Sequence, residues 1–197
     1  NPLIVHVAGL AMAEPLVRLP ARARDLAERF WPGPLTLVLE RRRDAPIASL
    51  ATAGLPTLAV RAPDHPAMQM LLALFGGGLA APSANRSGAL TPTSAAHVLA
   101  SLEGEVPLIL DAGPCRLGIE STIVAVAGDR VRLLRPGAIP VEALGVDVEP
   151  APKAGSIEAP GQLASHYAPA QPLRLNARKA QPGEYLIGFG AIAGHSC

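Results

Sequence analysis

Short apolar segments with strand character are separated by segments with helical character, and this order constrains the fold more than any other feature of the chain. The predicted strands cover residues 3–7, 35–39, 58–61, 79–81, 108–110, 122–126 and 130–134. Apolar residues at helical spacing predict a helix over 19–30. Because strands and helices do not alternate strictly, the order favours an α/β domain with a mixed, α+β-like twisted sheet and flanking helices over a doubly wound parallel sheet.

Capping and turn residues set the predicted limits of further elements. Asp64 is predicted to cap a helix over residues 66–74, which ends at the glycines 76–78. Thr91 followed by Pro92 has the pattern of a helix N-terminus. Gly128 and Asp129 separate two apolar segments, which predicts a β-hairpin.

Composition predicts a packed interior and gives little sign of polyanion binding. Of the 197 residues 49% are hydrophobic and 17% charged, and the net charge is +1. No apolar run approaches the roughly 20 residues that span a bilayer, and no leader pattern opens the chain. Two cysteines are too few for a disulfide framework. We therefore expect a cytoplasmic protein without membrane contact.

A change of composition divides the chain. Residues 146–160 are rich in Pro, Ala and Gly and predict a linker. Segments 172–175 and 184–190 after it have strand character and predict the start of a second, small α/β domain. We expect a domain over residues 1–145, a linker over 146–170 and the beginning of another domain over 171–197.

Small and polar residues follow the predicted strand 79–81. Ala81 leads into a loop in which Ser83, Asn85 and Ser87 offer hydroxyl and amide groups. Such groups, with backbone N–H, suit phosphate oxygens at the end of a buried strand. The alternative is a turn that is simply rich in turn-forming residues.

Other polar residues lie at strand ends. Arg61 and Arg135 each end a predicted strand, and the planar guanidinium can bind a carboxylate or phosphate bidentately. Glu120 and Ser121 precede a strand and could bind a small polar substrate. The alternative in each case is exposed surface. Residues 165–169, SHYAP, could contact a ligand or hold the linker as a hydrophobic staple.

Missing motifs exclude several chemistries. The sequence contains neither G-x-x-x-x-G-K-[ST] nor G-x-G-x-x-G, so neither phosphate-loop pattern is present. Ser83 lies in no G-x-S-x-G turn, which argues against a hydrolase serine. The histidines share no ligand spacing, so no metal site is predicted from the protein alone.

Six segments in this order and spacing resemble the YrdC-like family: NPLIVHV, FWPGPLT, VRAP, AAPSANRSG, GIESTIV and LRPG. The linker with residues 166–169 is similar to that of the family's two-domain form. The resemblance implies an open α/β fold with a concave cavity for ATP and L-threonine. It also implies a nucleotidyltransferase, L-threonylcarbamoyladenylate synthase, which forms threonylcarbamoyl-AMP and pyrophosphate from L-threonine, bicarbonate and ATP for tRNA modification.

The resemblance further implies roles for individual residues. The positions matched to L-threonine contacts are His6, Arg61, Ala81 and Ser121, with Arg61 on the carboxylate. The positions matched to ATP contacts are Thr57, Ser83, Thr91, Arg135 and the linker residue Tyr167, which closes over the site. Asn85 and Glu120 are additional candidates. Catalysis would come from positioning and charge stabilisation, with Mg²⁺ held chiefly by ATP oxygens and water.

The resemblance also implies partners, and it leaves alternatives. We expect a downstream transferase complex and contact with tRNA or double-stranded RNA. The family's N-terminal stretch, with its Lys-x-Arg pair for the phosphates, is not found in this sequence, so we expect weak or no activity from these 197 residues alone. One alternative is a carbamoyltransferase-related maturation domain, although no Cys-x-x-Cys is present. Another is an RNA-binding module, against which the aromatic content of 3% and the near-neutral charge count.

Overall fold

The computed structural model describes residues 2–150, 157–162 and 172–188. The chain divides into two compact units, residues 1–167 and 168–197. The strands of the first unit are β1 (Ile4–His6), β2 (Leu35–Glu40), β3 (Thr57–Arg61), β4 (Leu79–Ala81), β5 (Thr122–Ala127), β6 (Arg130–Arg135) and β7 (Val148–Pro150). The helices are α1 (Leu10–Ala13), α2 (Ala21–Phe30), α3 (Ser49–Thr52), α4 (Pro66–Phe75) and α5 (Ala95–Ser101), and Val141–Leu144 forms a 3₁₀ turn.

The seven strands form one open, mixed sheet in the order β4-β1-β3-β2-β5-β6-β7. The pairs β1–β3, β2–β5 and β6–β7 are parallel, and the other neighbours are antiparallel. The expected mixed α/β sheet with flanking helices is therefore confirmed. The predicted hairpin is also confirmed, since β5 and β6 pair across Gly128 and Asp129.

The sheet has two different faces. On the helix-covered face, strand residues such as Val60, Leu37 and Val124 share a buried core with Ala23 and Leu26 of α2. The second face carries a smaller cluster of buried apolar side chains, which are Val38, Ala59, Ile123, Ala125, Leu134 and Ala159. Because β2 is buried on both faces, its five residues 35–39 are apolar or, at Thr36, hydrogen-bonded.

Two predicted helix caps were wrong. The N-cap of α4 is His65, whose Nδ1 accepts from the Ala67 N–H at 3.3 Å, whereas Asp64 pairs with Arg116. The N-cap of α5 is Ser94 and not Thr91. The Asp64 carboxylate and the Thr91 hydroxyl are both groups that can cap a helix. In this fold they bind Arg116 and Glu120 instead.

Some predicted strands also differ. Residues 108–110 form no strand, and Leu108 and Leu110 are exposed. Strand β4 is only partly buried, with Ala80 exposed. Residues 148–150, inside the predicted linker, pair with β6 as β7. The described residues of the second unit, 172–188, contain no strand, and residues 189 and 190 lie outside the described part. No helix among the described residues is long and apolar enough to cross a membrane.

Candidate functional site

A cavity of about 430 Å³ opens where β3 ends and β5 begins. It lies at the edge of the sheet that is formed by the ends of these strands, and not beside an outer strand. The strand directions explain why polar residues meet there. The parallel pair β1–β3 ends at this edge, with His6 opposite Arg61, and the parallel pair β2–β5 begins there, with Leu35 opposite Thr122. Residues of four separate sequence segments therefore line this cavity. Among them are Arg61, Asp64, Thr91, Glu120 and Ser121.

Arg135 is the centre of the hydrogen bonding at this edge. Its side chain is buried, and Nε and Nη2 donate to the Ser121 carbonyl oxygen at 3.2 and 2.9 Å. Nη2 also donates to Ser121 Oγ at 3.0 Å, and Nη1 pairs with the Glu120 carboxylate. Glu120 Oε1 accepts from the Thr91 hydroxyl at 2.8 Å, so the carboxylate joins the arginine to the loop before α5.

The hydroxyl of Ser121 has a second neighbour that the sequence did not indicate as functional. Thr36 Oγ1 and Ser121 Oγ lie 2.8 Å apart in a buried hydrogen bond. Thr36 is the one polar residue in the apolar segment 35–39, but a lone threonine is ordinary in a strand, so the sequence carries no specific signal for it. A buried hydroxyl held by both an arginine and a threonine has a fixed orientation.

Arg61 lines the cavity itself. Its Nε donates to the Gly33 carbonyl oxygen at 3.0 Å, which fixes one side of the guanidinium. Burial lowers the pKa of Arg61; the carboxylates of Asp64 and Glu120 oppose this effect, and the charge of Arg135 adds to it. Arg61 stays protonated in any protein environment, so the group is a fixed cation at the cavity wall.

His6 lies beside Arg61 in the sheet register. Burial lowers the pKa of His6, the charge of Arg61 lowers it further, and the backbone of Leu79 and Ile4 acts in the opposite direction. The imidazole is therefore neutral at pH 7. Its Nδ1 is buried, and nothing in the described part of the chain hydrogen-bonds it with normal geometry.

Sequence reasoning identified only part of the loop that lines the cavity: residues 118–121 belong to the segment GIESTIV, whereas residues 114–117 were not indicated. Within this loop, Arg116 pairs with Asp64. His65, at the start of α4, and Thr93, just before α5, also line the cavity. No local sequence pattern marks residues 114–117, His65 or Thr93 as parts of a site.

Three predicted site residues lie away from this cavity. Thr57 is at the other end of β3, about 13 Å from Arg61 along the strand, and lines a second cavity of about 770 Å³. Ala81 pairs with Ile4 at the far end of β1. Ser83 is exposed in the loop after β4 and is outside the lining of both cavities among the described residues.

The remaining candidates are placed as follows. Asn85 Nδ2 donates to the carbonyl oxygens of Arg86 at 2.9 Å and Ala89 at 3.1 Å, which folds the loop on itself. Tyr167 lies outside the described residues.

By the alternation of side chains along a strand, Thr57 and Arg61 point to the same side of β3 as Ala59, which is the second face. The two cavities are therefore at opposite ends of one face.

The arrangement is suited to anions. The Arg61 guanidinium lines a cavity that also includes Ser121, Thr91 and Thr93, and the buried Arg135 guanidinium is bound to Glu120 and Ser121 of the same lining. Arginine binds carboxylate and phosphate in its planar fork, and low solvent exposure strengthens such pairs. Within the described residues no three His, Cys, Asp or Glu side chains come close enough to hold a metal ion.

Comparison with known proteins identifies the family of the chain. The family model for Sua5, YciO and YrdC, described as telomere recombination, matches residues 1–137. The threonylcarbamoyl-AMP synthase of Bacillus subtilis is 40% identical over 195 residues, which cover 95% of this chain and 56% of the relative. The synthase of the same name from Pyrococcus abyssi is 42% identical and covers 86% of this chain and 52% of the relative.

Solved structures show the same fold. Sua5 of P. abyssi, solved in complex with L-threonine, superposes with a TM-score of 0.79 at 40% identity and covers 86% of this chain and 52% of that one. Escherichia coli YciO superposes with a TM-score of 0.64 at 21% identity, over 73% of this chain and 69% of that one, and shows the fold alone. The chain spans about half the length of the curated synthases named above. The chain therefore belongs to the Sua5/YciO/YrdC family.

Proposed function

We propose that this chain carries the synthase domain of an L-threonylcarbamoyladenylate synthase, a nucleotidyltransferase. The observation that carries the proposal is a cavity lined by Arg61, Glu120 and Ser121, the last two of which hold the buried guanidinium of Arg135 behind the lining. The site suits two anionic substrates, as this reaction requires. The similarity to relatives named threonylcarbamoyl-AMP synthase, and to a Sua5 solved with L-threonine, supports the assignment.

In this proposal Arg61 binds the carboxylate of L-threonine. The guanidinium is fixed to the Gly33 carbonyl and lines the cavity, so the fork is oriented before substrate arrives. Ser121 and the neutral His6 supply uncharged hydrogen-bonding groups on the same edge of the sheet. Ala81, whose side chain offers no polar atom, would contribute through its backbone.

Arg135 and Thr91 would contact ATP, with Ser83, Thr57 and the linker residue Tyr167. Arg135 would stabilise the charge that develops on the phosphates, and Glu120 would hold its guanidinium in place. Asn85 would order the Ser83 loop. Mg²⁺ would accompany ATP, bound by phosphate oxygens and water, because the carboxylates at the cavity, Asp64 and Glu120, are already paired with arginines.

The reaction then proceeds in two bond-forming steps. The threonine amine attacks the carbon of bicarbonate or of dissolved carbon dioxide, and an N–C bond forms to give the carbamate. With bicarbonate a C–O bond breaks and the hydroxyl leaves as water with the amine proton; with dissolved carbon dioxide a C=O π bond opens and the amine proton goes to solvent. A carbamate oxygen next attacks the α-phosphorus of ATP, and the bond from that phosphorus to the bridging oxygen breaks as pyrophosphate leaves. The protein contributes by positioning the substrates and by stabilising the charge on the phosphates. A tRNA-modifying transferase with its tRNA would consume the product.

The test is pyrophosphate release by the protein expressed from its complete gene, with ATP, bicarbonate and L-threonine. Arg61→Lys is expected to raise the KM for threonine at least about 10-fold and to change the KM for ATP little. Losing a charge-assisted hydrogen bond costs about 1.5–3 kcal/mol, and 1.4 kcal/mol corresponds to about 10-fold. Arg24→Lys on α2, where the arginine pairs with Glu14 at the surface, is the matched control.

Two results would refute the proposal. One is release of pyrophosphate that does not depend on threonine, and the other is an unchanged rate in Arg61→Ala. Tight, salt-sensitive binding of tRNA without any turnover would instead support the RNA-binding alternative.

A further inference from the structure

Residues 158–162 form a small loop on the second face of the sheet, which we name the clip. Glu158 makes a bidentate ion pair with Arg132 of β6, at 3.1 and 2.8 Å. Ala159 is fully buried among the apolar residues of the second face. Gln162 Oε1 accepts from the N–H groups of Glu158 at 2.7 Å and Ala159 at 3.1 Å, which closes the loop. The ion pair and the burial of Ala159 therefore fix the clip to the sheet, and the Gln162 hydrogen bonds hold its shape.

The clip touches the buried arginine of the candidate site. Gly161 has φ +91°, and a Cβ on it would lie only 2.7 Å from Arg135 Cδ and 3.5 Å from Nη1. Carbon atoms do not approach this closely, so an alanine at 161 would have to displace the arginine stem or the clip. The glycine is needed both for its backbone conformation and for this close approach.

The arginine cannot move away without loss. Its guanidinium is bound on the strand side by Ser121 Oγ, the Ser121 carbonyl and Glu120. The clip cannot move easily either, because Arg132 and Glu158 are both more than two-thirds buried as side chains. Arg135 is thus confined between two structures that are themselves fixed, one of them 14 residues earlier in the chain and the other 26 residues later.

We infer that the clip is a positioning element for anion binding, in which Gly161 sets the position of the Arg135 guanidinium. Gly161 is a positioning residue, since it acts through Arg135. The identity of the anion as ATP rests on the proposed function; the contact between clip and arginine does not.

The experiment is a double-mutant cycle in the protein expressed from its complete gene, with Gly161→Ala, Arg135→Ala and both together. Titration calorimetry with ATP is expected to show binding weakened about 10-fold by Gly161→Ala, because sub-ångström to ångström displacement of a charged group costs that order of affinity or rate. The KM for ATP should rise similarly, and the KM for threonine should stay within about twofold. In the Arg135→Ala background the added effect should disappear, although the backbone strain at 161 persists.

Gly104→Ala is the matched control, because Gly104 has φ +73° and no atom within 4 Å of an added Cβ. It carries the same kind of backbone strain without the contact, so ATP binding should be unchanged. An equal weakening by Gly161→Ala in both backgrounds, or no weakening in either, would overturn the inference.

Failure of the proposed function gives a different pattern. If the wild-type protein neither binds ATP nor releases pyrophosphate, the contact is tested by thermal unfolding. Gly161→Ala should then lower the Tm more than Gly104→Ala does, and this excess should vanish in the Arg135→Ala background. The absence of an excess would overturn the clip contact itself.

Discussion

At the scale of single residues, the buried polar groups of the candidate site depend on one another. Ser121 Oγ lies within hydrogen-bonding distance of both Thr36 and Arg135, and Glu120 joins Arg135 to Thr91. Sequence patterns identified Arg61, Glu120, Ser121 and Arg135 separately, as polar residues at strand ends. They did not identify Thr36, because a single threonine in a strand is ordinary β composition and gains its role from a partner 85 residues away.

His6 gives a prediction about pH. Its pKa in the folded protein is below the ordinary value of 6.5, through burial and the charge of Arg61. Between these two pKa values the unfolded chain binds a proton that the folded chain does not, so acid favours unfolding. The stability from neutral His6 is complete above about pH 6.5 and is lost as the pH falls towards the folded pKa.

Urea unfolding over the range from pH 7.5 to pH 5 measures this effect. The free energy of unfolding should fall more steeply with acid in the wild type than in His6→Gln, which cannot take up the proton. His97→Gln is the control, since His97 is exposed on α5. Parallel pH profiles for wild type and His6→Gln would contradict the prediction.

At the scale of elements, most strands and the order of the fold could be predicted, and the ends of helices could not. The strands β1, β2, β3, β5 and β6 follow from apolar runs and turn residues, which are local signals. The caps of α4 and α5 failed because Asp64 and Thr91 have tertiary partners, Arg116 and Glu120. The four-residue helices α1 and α3 are too short for periodicity, and β7 depends on its pairing with β6.

The junction of β6 with the start of β5 gives a second prediction. A Cβ on Gly137 would lie 2.4 Å from the Ser121 carbonyl carbon and the Thr122 nitrogen. Gly137→Ala should therefore lower the free energy of unfolding by about 1–3 kcal/mol, as overpacking does when backbone must move. Gly9→Ala is the control, since an added Cβ there meets no atom within 4 Å. Equal urea midpoints for the two variants would be inconsistent with this crowding.

At the scale of the whole molecule, the described surface includes an apolar side of α4. Met70, Leu74 and Phe75 are 64%, 81% and 62% exposed and lie at helical spacing. Exposed apolar patches of this kind promote association. We predict that the chain associates increasingly with concentration in sedimentation velocity, and that Leu74→Glu with Phe75→Ser reduces this. Leu50→Glu on α3 replaces an isolated exposed leucine and should leave the association unchanged. A response to Leu50→Glu as large as that to the α4 variant would argue against a role for this helix.

The parallel pairing of β2 with β5 also determines when the site can form during folding. Leu35 and Thr122 become neighbours only after α3, β3, α4, β4 and α5 between them have been accommodated, so closing this pair costs the entropy of a long loop. Non-local pairing of this kind is typical of slow folders, because the entropy of closing the loop is part of the folding barrier. We predict that the Thr36–Ser121 hydrogen bond, which needs the finished packing around it, forms after that barrier and has a φ-value near 0. A ligand that strengthens this late contact would prolong the lifetime of the native state while hardly changing the rate at which it is reached.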